Sequence, residues 1–193
     1  MFEHLLQLTI LFLVIFDPLA SFAVFYVTTA HLTKSERNKI ALLAVLVAAT
    51  ISFAVLFFGQ DLLHVFNTTI EDFRVASGVI LGILGIKMAL GQSLSNLETI
   101  KDNSAFGIAA IIGTPLLTGP AAITSIIVNV NDYGIVATGT AITIVLSLTA
   151  IFFYQSFRIH RLIGTTPIQV ISTFLGLITV AWGVKFIREG LGF

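Results

Sequence analysis

The chain is 193 residues long, 56% hydrophobic and only 10% charged. A water-soluble domain carries about 45–50% apolar and about 25% charged residues, so this composition excludes a water-soluble enzyme and a disordered protein. Ten Lys and Arg balance ten Asp and Glu, leaving no basic surplus for a nucleic acid; the lack of cysteine removes disulfides, thiolate metal ligands and thiol nucleophiles.

Charge-free runs predict the spans. The first runs from about Leu5 to Ala30, with Asp17 its only charge, and is followed by Ile40 to Gln60 and by Val75 to Leu97, which holds only Lys87. Asn103 to Asn131, Tyr133 to Phe157 and Leu162 to Val184 complete the series. Each approaches the roughly 20 residues that a helix needs to cross a hydrocarbon core of about 30 Å. The period-two alternation of a membrane β-barrel is absent. The expectation is an all-α membrane protein with six transmembrane helices, one transmembrane domain over 1–193, in the cell membrane. Met1-Phe2-Glu3-His4 lacks the basic start of a cleaved signal, so the first span is read as mature protein. Trp182, Tyr26, Tyr133 and Tyr154 lie toward span ends, where amphipathic rings favour the headgroup zone. Lys34, Arg37, Lys39, Lys101, Arg158 and Arg161 share one side of a six-span chain, against Arg74, Lys185 and Arg188 on the other. The positive-inside bias places the first set in the cytoplasm and both termini outside.

Two halves resemble each other, 1–91 and 105–193, joined by a polar linker over 92–104. A shift of about 97 lays Ile15-Phe16-Asp17-Pro18-Leu19-Ala20-Ser21 on Ile112-Gly113-Thr114-Pro115-Leu116-Leu117-Thr118. A shift of about 98 lays Gly78, Ile80, Gly85 and Lys87 on Gly176, Ile178, Gly183 and Lys185. A three-span unit that repeats directly returns upside down in the bilayer, and inverted repeats are a hallmark of secondary transporters.

The opening span of each half is interrupted near its middle. Asp17-Pro18 and Thr114-Pro115 each join a good N-cap residue to proline, which is favoured at the first helical position and stops the helix before it. Thr118-Gly119-Pro120 adds a second break in the fourth span. Spans one and four are therefore expected to be discontinuous, with unwound backbone tolerated only against protein or a water-filled cavity. In an inverted pair the second half-helices start near the midplane, and two such starts present N–H donors and partial positive charge to a small carboxylate. Ser21, Thr114, Thr118 and Thr124 supply hydroxyls; Asp17, Pro18, Pro115, Gly119, Pro120 and Ala121 complete the candidate substrate site. The plainer alternative is that each proline kinks a packing helix. Asp17 is the one acid deep in a span, so it is buried, paired, protonated or functional. As a bare N-cap it satisfies the start of the following half-helix while facing the protein interior; as a site residue it takes a substrate ammonium, H⁺ or Na⁺. Lys87 and Lys185 read as snorkelling lysines first, and the glycines of spans three and six as close-packing positions.

Enzyme signatures are missing. His4, His31, His64 and His160 form no HExxH or i,i+4 pair, there is no G-x-S-x-G elbow, and no second intramembrane acid pairs with Asp17. The lack of a P-loop argues against an ATP-driven pump, and no cofactor is implied.

Asp17-Pro18-Leu19, Ser35-Glu36-Arg37-Asn38, Phe73-Arg74-Val75-Ala76, Pro115-Leu116-Leu117-Thr118-Gly119-Pro120 and Gly183-Val184-Lys185-Phe186-Ile187 occur in this order along the chain. Together they resemble the MarC family, also called NAAT, which includes the small neutral amino acid transporter SnatA. The resemblance implies six transmembrane helices and, as in characterised members, movement of glycine, alanine and similar amino acids; other members have no settled role. The sequence departs from the family pattern at Ala20, Ala23 and Ala121, where many members carry Gly or Pro, which puts the carried-over substrate in doubt. The leading expectation is a secondary transporter of small neutral amino acids coupled to H⁺ or Na⁺. A passive metabolite-release pore and a non-transporting membrane scaffold stand as rivals, and self-association into a homo-oligomer stays open.

Overall fold

Residues 2–29, 31–65, 67–90, 105–163 and 165–192 are described by a computed structural model. The expected linker over 92–104 lies outside the described residues. Among them every regular element is helical.

The first apolar segment forms two helices, α1 (Phe2–Phe16) and α2 (Pro18–Thr29), interrupted at Asp17. Pro18 has no N–H to give the preceding turn, and its ring blocks the carbonyl four residues back, so α1 ends there. Asp17 bridges the two with a positive φ of 39°. Its carbonyl then accepts the Ser21 N–H at 3.1 Å, starting α2.

A long helix α3 spans Lys34–Val65 and α4 spans Ile70–Ala89. Both start on reciprocal caps. The Thr33 N–H and hydroxyl donate to the Glu36 carboxylate (2.9 and 2.7 Å), and those of Thr69 to Asp72 (3.0 and 2.8 Å). Such Thr-x-x-acid boxes satisfy orphan amides at a helix start. Between the two helices Asn67 takes φ 50°, a left-handed geometry that asparagine tolerates.

In the second half α5 (Ala105–Ile111) runs into a π-helical segment, Ile112–Leu117, before α6 (Pro120–Tyr154), α7 (Ser156–Ile163) and α8 (Thr165–Gly190). The expected third span ends earlier, at Ala89 with Leu90 as its cap, and the expected sixth starts at Thr165 rather than Leu162. Phe157 belongs to the separate α7, because the chain turns at Gln155.

α6 is two arms joined at Gly134, whose φ of 82° and ψ of 165° are non-helical. Ile127 before the joint and Gly139 after it both lie against the same stretch of α3, at Gly59 and at Phe53 and Leu56. The helix therefore doubles back at Gly134, and one glycine replaces a loop. The positive φ explains why glycine stands there.

Contacts at the two ends fix the course of the chain. At one end the His4 ring lies 5.6 Å from Tyr133, and Arg74 bonds Asp132 and Glu189. At the other, Phe25 stacks on Phe153 at 4.7 Å, Tyr26 meets Phe157, and the Arg37 guanidinium lies 3.6 Å from the Phe157 ring centroid. α4 and α8 run antiparallel in close contact along their lengths: Gly78 meets Gly183 and Gly85 meets Gly176.

Phe12, Phe16, Phe22, Phe25 and Phe153 are the largest fully buried side chains. The outside is also apolar, with Phe57, Phe58, Val136, Phe174 and Val184 each more than half exposed. A continuous oily exterior suits lipid. The helix over Lys34–Leu63 is long and apolar enough by itself to cross a membrane, and Pro120–Tyr154 meets the same test of length and composition, though its two arms part at Gly134.

Candidate functional site

The two interrupted segments touch: α1 and α2 both pack against the π segment, and α2 also packs against α6. Asp17, 2% exposed, and Ser21, 1%, are buried, as is Pro18. A carboxylate in this position is surrounded by protein and sits at a backbone geometry that costs of order 1–3 kcal/mol for a residue with a Cβ. The residue before a proline is also disfavoured in helical regions, so the break is over-determined by its surroundings.

The second interruption is longer. Thr114 is extended (φ −147°, ψ 119°), as expected for a residue preceding Pro115. The carbonyl of Gly113 accepts both the Thr118 N–H (3.2 Å) and its hydroxyl (2.6 Å), closing a π turn around the proline. Gly113 sits so close to α3 that a Cβ there would lie 2.7 Å from Val47 and 2.8 Å from the Ala44 carbonyl. Gly119 then caps α6 with extended backbone and no side-chain bond, and Pro120 begins the helix. The Thr124 hydroxyl donates back to the Pro120 carbonyl at 2.9 Å.

These placements divide the expected site. Asp17, Pro18, Ser21, Thr118 and Ala121 are buried, and Gly119 is half-buried. Thr114 and Pro120 are exposed, and the Pro115 side chain lies outside the described residues, as do those of Ala20 and Ala23. Thr118 and Thr124 already donate to backbone carbonyls, so toward a ligand they offer acceptor lone pairs rather than a proton.

Sequence reading missed a further polar region. A cavity of about 240 Å³ opens where α1, α6 and α8 meet, walled by Asn129, Asp132, Trp182, Lys185 and Glu189 among others. Trp182 forms part of this wall. Asn129 is 2% exposed and donates to the Ser125 carbonyl at 2.7 Å. The signal was present as Ser125, Asn129 and Asp132 at helical spacing, hidden by the apolar residues around them. Among the described residues no cluster of three metal-ligating side chains occurs.

Large apolar side chains on the outside, with Asp17, Ser21 and Thr118 buried at the two interruptions, fit an integral membrane protein. The profile described as MarC family integral membrane protein matches residues 2–192, and the chain belongs to that family. It is 30% identical to the UPF0056 membrane protein YhcE of Escherichia coli K12, over 91% of this chain and 86% of that one. It is 28% identical to the UPF0056 membrane protein MJ1677 of Methanocaldococcus jannaschii (92% and 90% covered). The UPF0056 inner membrane protein MarC of Escherichia coli is 27% identical (91% and 88%). No solved structure matches.

Proposed function

We propose that this chain is a secondary transporter of small neutral amino acids of the glycine and alanine class, in the cytoplasmic membrane, and not an enzyme. The carboxylate of the substrate rests at the half-helix starts beside Pro18 and Gly119–Ala121, and Asp17 receives the ammonium, H⁺ or Na⁺. The observation that carries this reading is the contact between two interrupted segments, the first of them broken at a buried aspartate. Intramembrane acids in a protein interior mark substrate and ion pathways.

The transporter reading includes six spans arranged as two inverted repeats. The reciprocal glycines support it. A shift of 98 residues carries Gly78 onto Gly176 and Gly85 onto Gly183, so it exchanges the contact Gly78–Gly183 with the contact Gly176–Gly85. Antiparallel helices exchanged in this way are related by a two-fold axis perpendicular to them, which lies in the plane of a membrane the helices cross. That is the symmetry on which rocking-bundle carriers alternate access. Charge adds the orientation: the Arg37 and Arg158 end faces the cytoplasm, and the Arg74 end, with both termini, faces outward.

Uptake of radiolabelled glycine or alanine into proteoliposomes tests the proposal. Wild type is expected to accumulate substrate under an H⁺ or Na⁺ gradient and to show counterflow, neither of which a passive pore or a scaffold performs. Asp17→Asn is the informative variant, since asparagine tolerates positive φ and removes only the charge. It is expected to fold and to lose accumulation; unchanged uptake in Asp17→Asn and in Ser21→Ala removes the site.

A further inference from the structure

The cavity beside α8 is separate from the two interruptions but connected to them by one face of α6. Ala121, Ser125, Asn129 and Asp132 follow one another at intervals of four, four and three residues, so they stack on one side of the helix. The first three are buried, at 6%, 0% and 2% exposure. The stripe runs from the start of α6 at the interruption to the cavity wall. The Ser125 hydroxyl is fully enclosed and has no hydrogen-bond partner among the described residues. The same is true of Ser77 on α4. Arg74 on α4 is paired with Asp132 on α6, α4 packs against α6, and Ser77 lies three residues further into α4. Enclosed hydroxyls without partners are costly unless something polar visits them.

Both signs of charge line the cavity: the Lys185 ammonium lies 3.6 Å from the Glu189 carboxylate, and Arg74 pairs with Asp132 and Glu189, so the four side chains form one ion-pair network without net charge. The cavity volume equals that of about eight waters at ~30 Å³ each, which is smaller than a drug-sized pocket and suits a small zwitterion with part of its hydration. We infer that this cavity is a vestibule that binds the α-amino and α-carboxylate groups of a neutral amino acid, and that the Asn129–Ser125 face passes the substrate to the interruption at Gly119–Ala121. The inference rests on the transport reading above and names a second binding site on its path. Asp132 and Glu189 take the ammonium, Lys185 the carboxylate. A zwitterion inserts into this network without adding net charge, whereas a ligand with only one charge unbalances it, which is the basis of selection for net-neutral substrates.

The chain has no cysteine, so single cysteines report without background. Purified Asn129→Cys and Ser125→Cys are to be labelled with a charged methanethiosulfonate reagent in detergent, with Phe174→Cys as a surface control. Glycine is expected to slow labelling of both buried positions and not of Cys at 174, whereas acetate or ethylamine alone does not slow it. Lys185→Gln, at a half-exposed position that folding tolerates, is expected to raise the glycine concentration for half-protection at least about tenfold in the Asn129→Cys background. Labelling indifferent to glycine, in a chain that accumulates glycine in proteoliposomes, overturns the vestibule. So does equal protection by acetate. Protection that persists when Asp17→Asn is added to Asn129→Cys, where accumulation is lost, supports a site distinct from the interruption; protection of Asn129→Cys when the wild-type chain performs no uptake supports the vestibule and overturns the transport reading.

Discussion

Single carboxylates play two different parts in this chain, and their surroundings decide which. The hydroxyl of Thr33, followed by its N–H, holds the Glu36 carboxyl below its ordinary 4.5; the N–H of Thr69, followed by its hydroxyl, holds Asp72 below 3.8. A depressed folded-state value means that the stabilisation is complete above the ordinary value and disappears as pH falls through the lower one. Thermal unfolding in detergent is therefore expected to weaken only on the acid side of the ordinary carboxylate values. In Glu36→Gln/Asp72→Asn that acid limb is expected to flatten, and a limb unchanged in the double variant refutes the assignment. Asp17 is different in kind, since it lies outside any such box and holds a left-handed backbone. If it served only as a local cap, Asp17→Gly would keep uptake, because glycine accepts φ 39° without strain. The expected outcome is a folded chain without accumulation, read by thermal unfolding and by uptake on the same preparation. Asp17, Pro18, Thr118 and Gly119 were legible because aspartate before proline and glycine before proline act within one helical turn. Thr114 was placed with them by the same local logic, and its exposure depends on where the extended residue swings, which the flanking sequence does not encode.

Helix pairs obey a simpler physics. With lipid as apolar as leucine, helices associate through packing and polar contacts, so close approach at small residues matters most. The α4–α8 seam has this character. A Cβ added at Gly78 would lie 2.5 Å from the Gly183 carbonyl oxygen, and one at Gly85 would lie 2.6 Å from that of Gly176. Gly82, between them on α4, has nothing within 4 Å of such a Cβ. Gly78→Ala and Gly85→Ala are therefore expected to destabilise the protein by about 1–3 kcal/mol through overpacking. Gly82→Ala is expected to be neutral or to gain up to about 1 kcal/mol from helix propensity. Thermal unfolding of the three variants checks this, and equal losses at all three positions contradict the seam. The glycines were visible as a repeating pattern, yet nothing in that pattern separates Gly82 from its neighbours. The difference arises from the crossing of two helices about a hundred residues apart. The reversal at Gly134 was hidden for a related reason: Asn131, Asp132 and Tyr133 marked the end of a span, but not that one glycine would suffice to turn the chain.

At the scale of the whole molecule the two ends are tied by different means. Stacked Phe25 and Phe153 tie one end, beside a cavity of about 280 Å³, while the other is tied by charge around a polar cavity. Arg74 on α4 bonds Asp132 on α6 and, at 3.2 Å, Glu189 on α8, and its side chain is only 14% exposed. It is thus the one residue linking three helices among the described ion pairs, and both repeats of the proposed carrier. Removing it leaves two carboxylates facing each other without a cation, apart from Lys185 beside Glu189. Arg74→Gln is expected to cost about 2 kcal/mol, the range for hydrogen bonds to charged groups. Asp132→Asn in the same chain should recover part of that loss, because it removes one of the stranded charges, and the two effects are then non-additive as for any shared network. The measurement is thermal unfolding of the two single variants and the double variant in one detergent. The same tie bears on transport: an end held by Arg74 resists the rocking that alternating access requires. Loosening it is expected to speed counterflow of glycine while lowering stability. A variant that is less stable with unchanged counterflow would assign Arg74 to architecture alone.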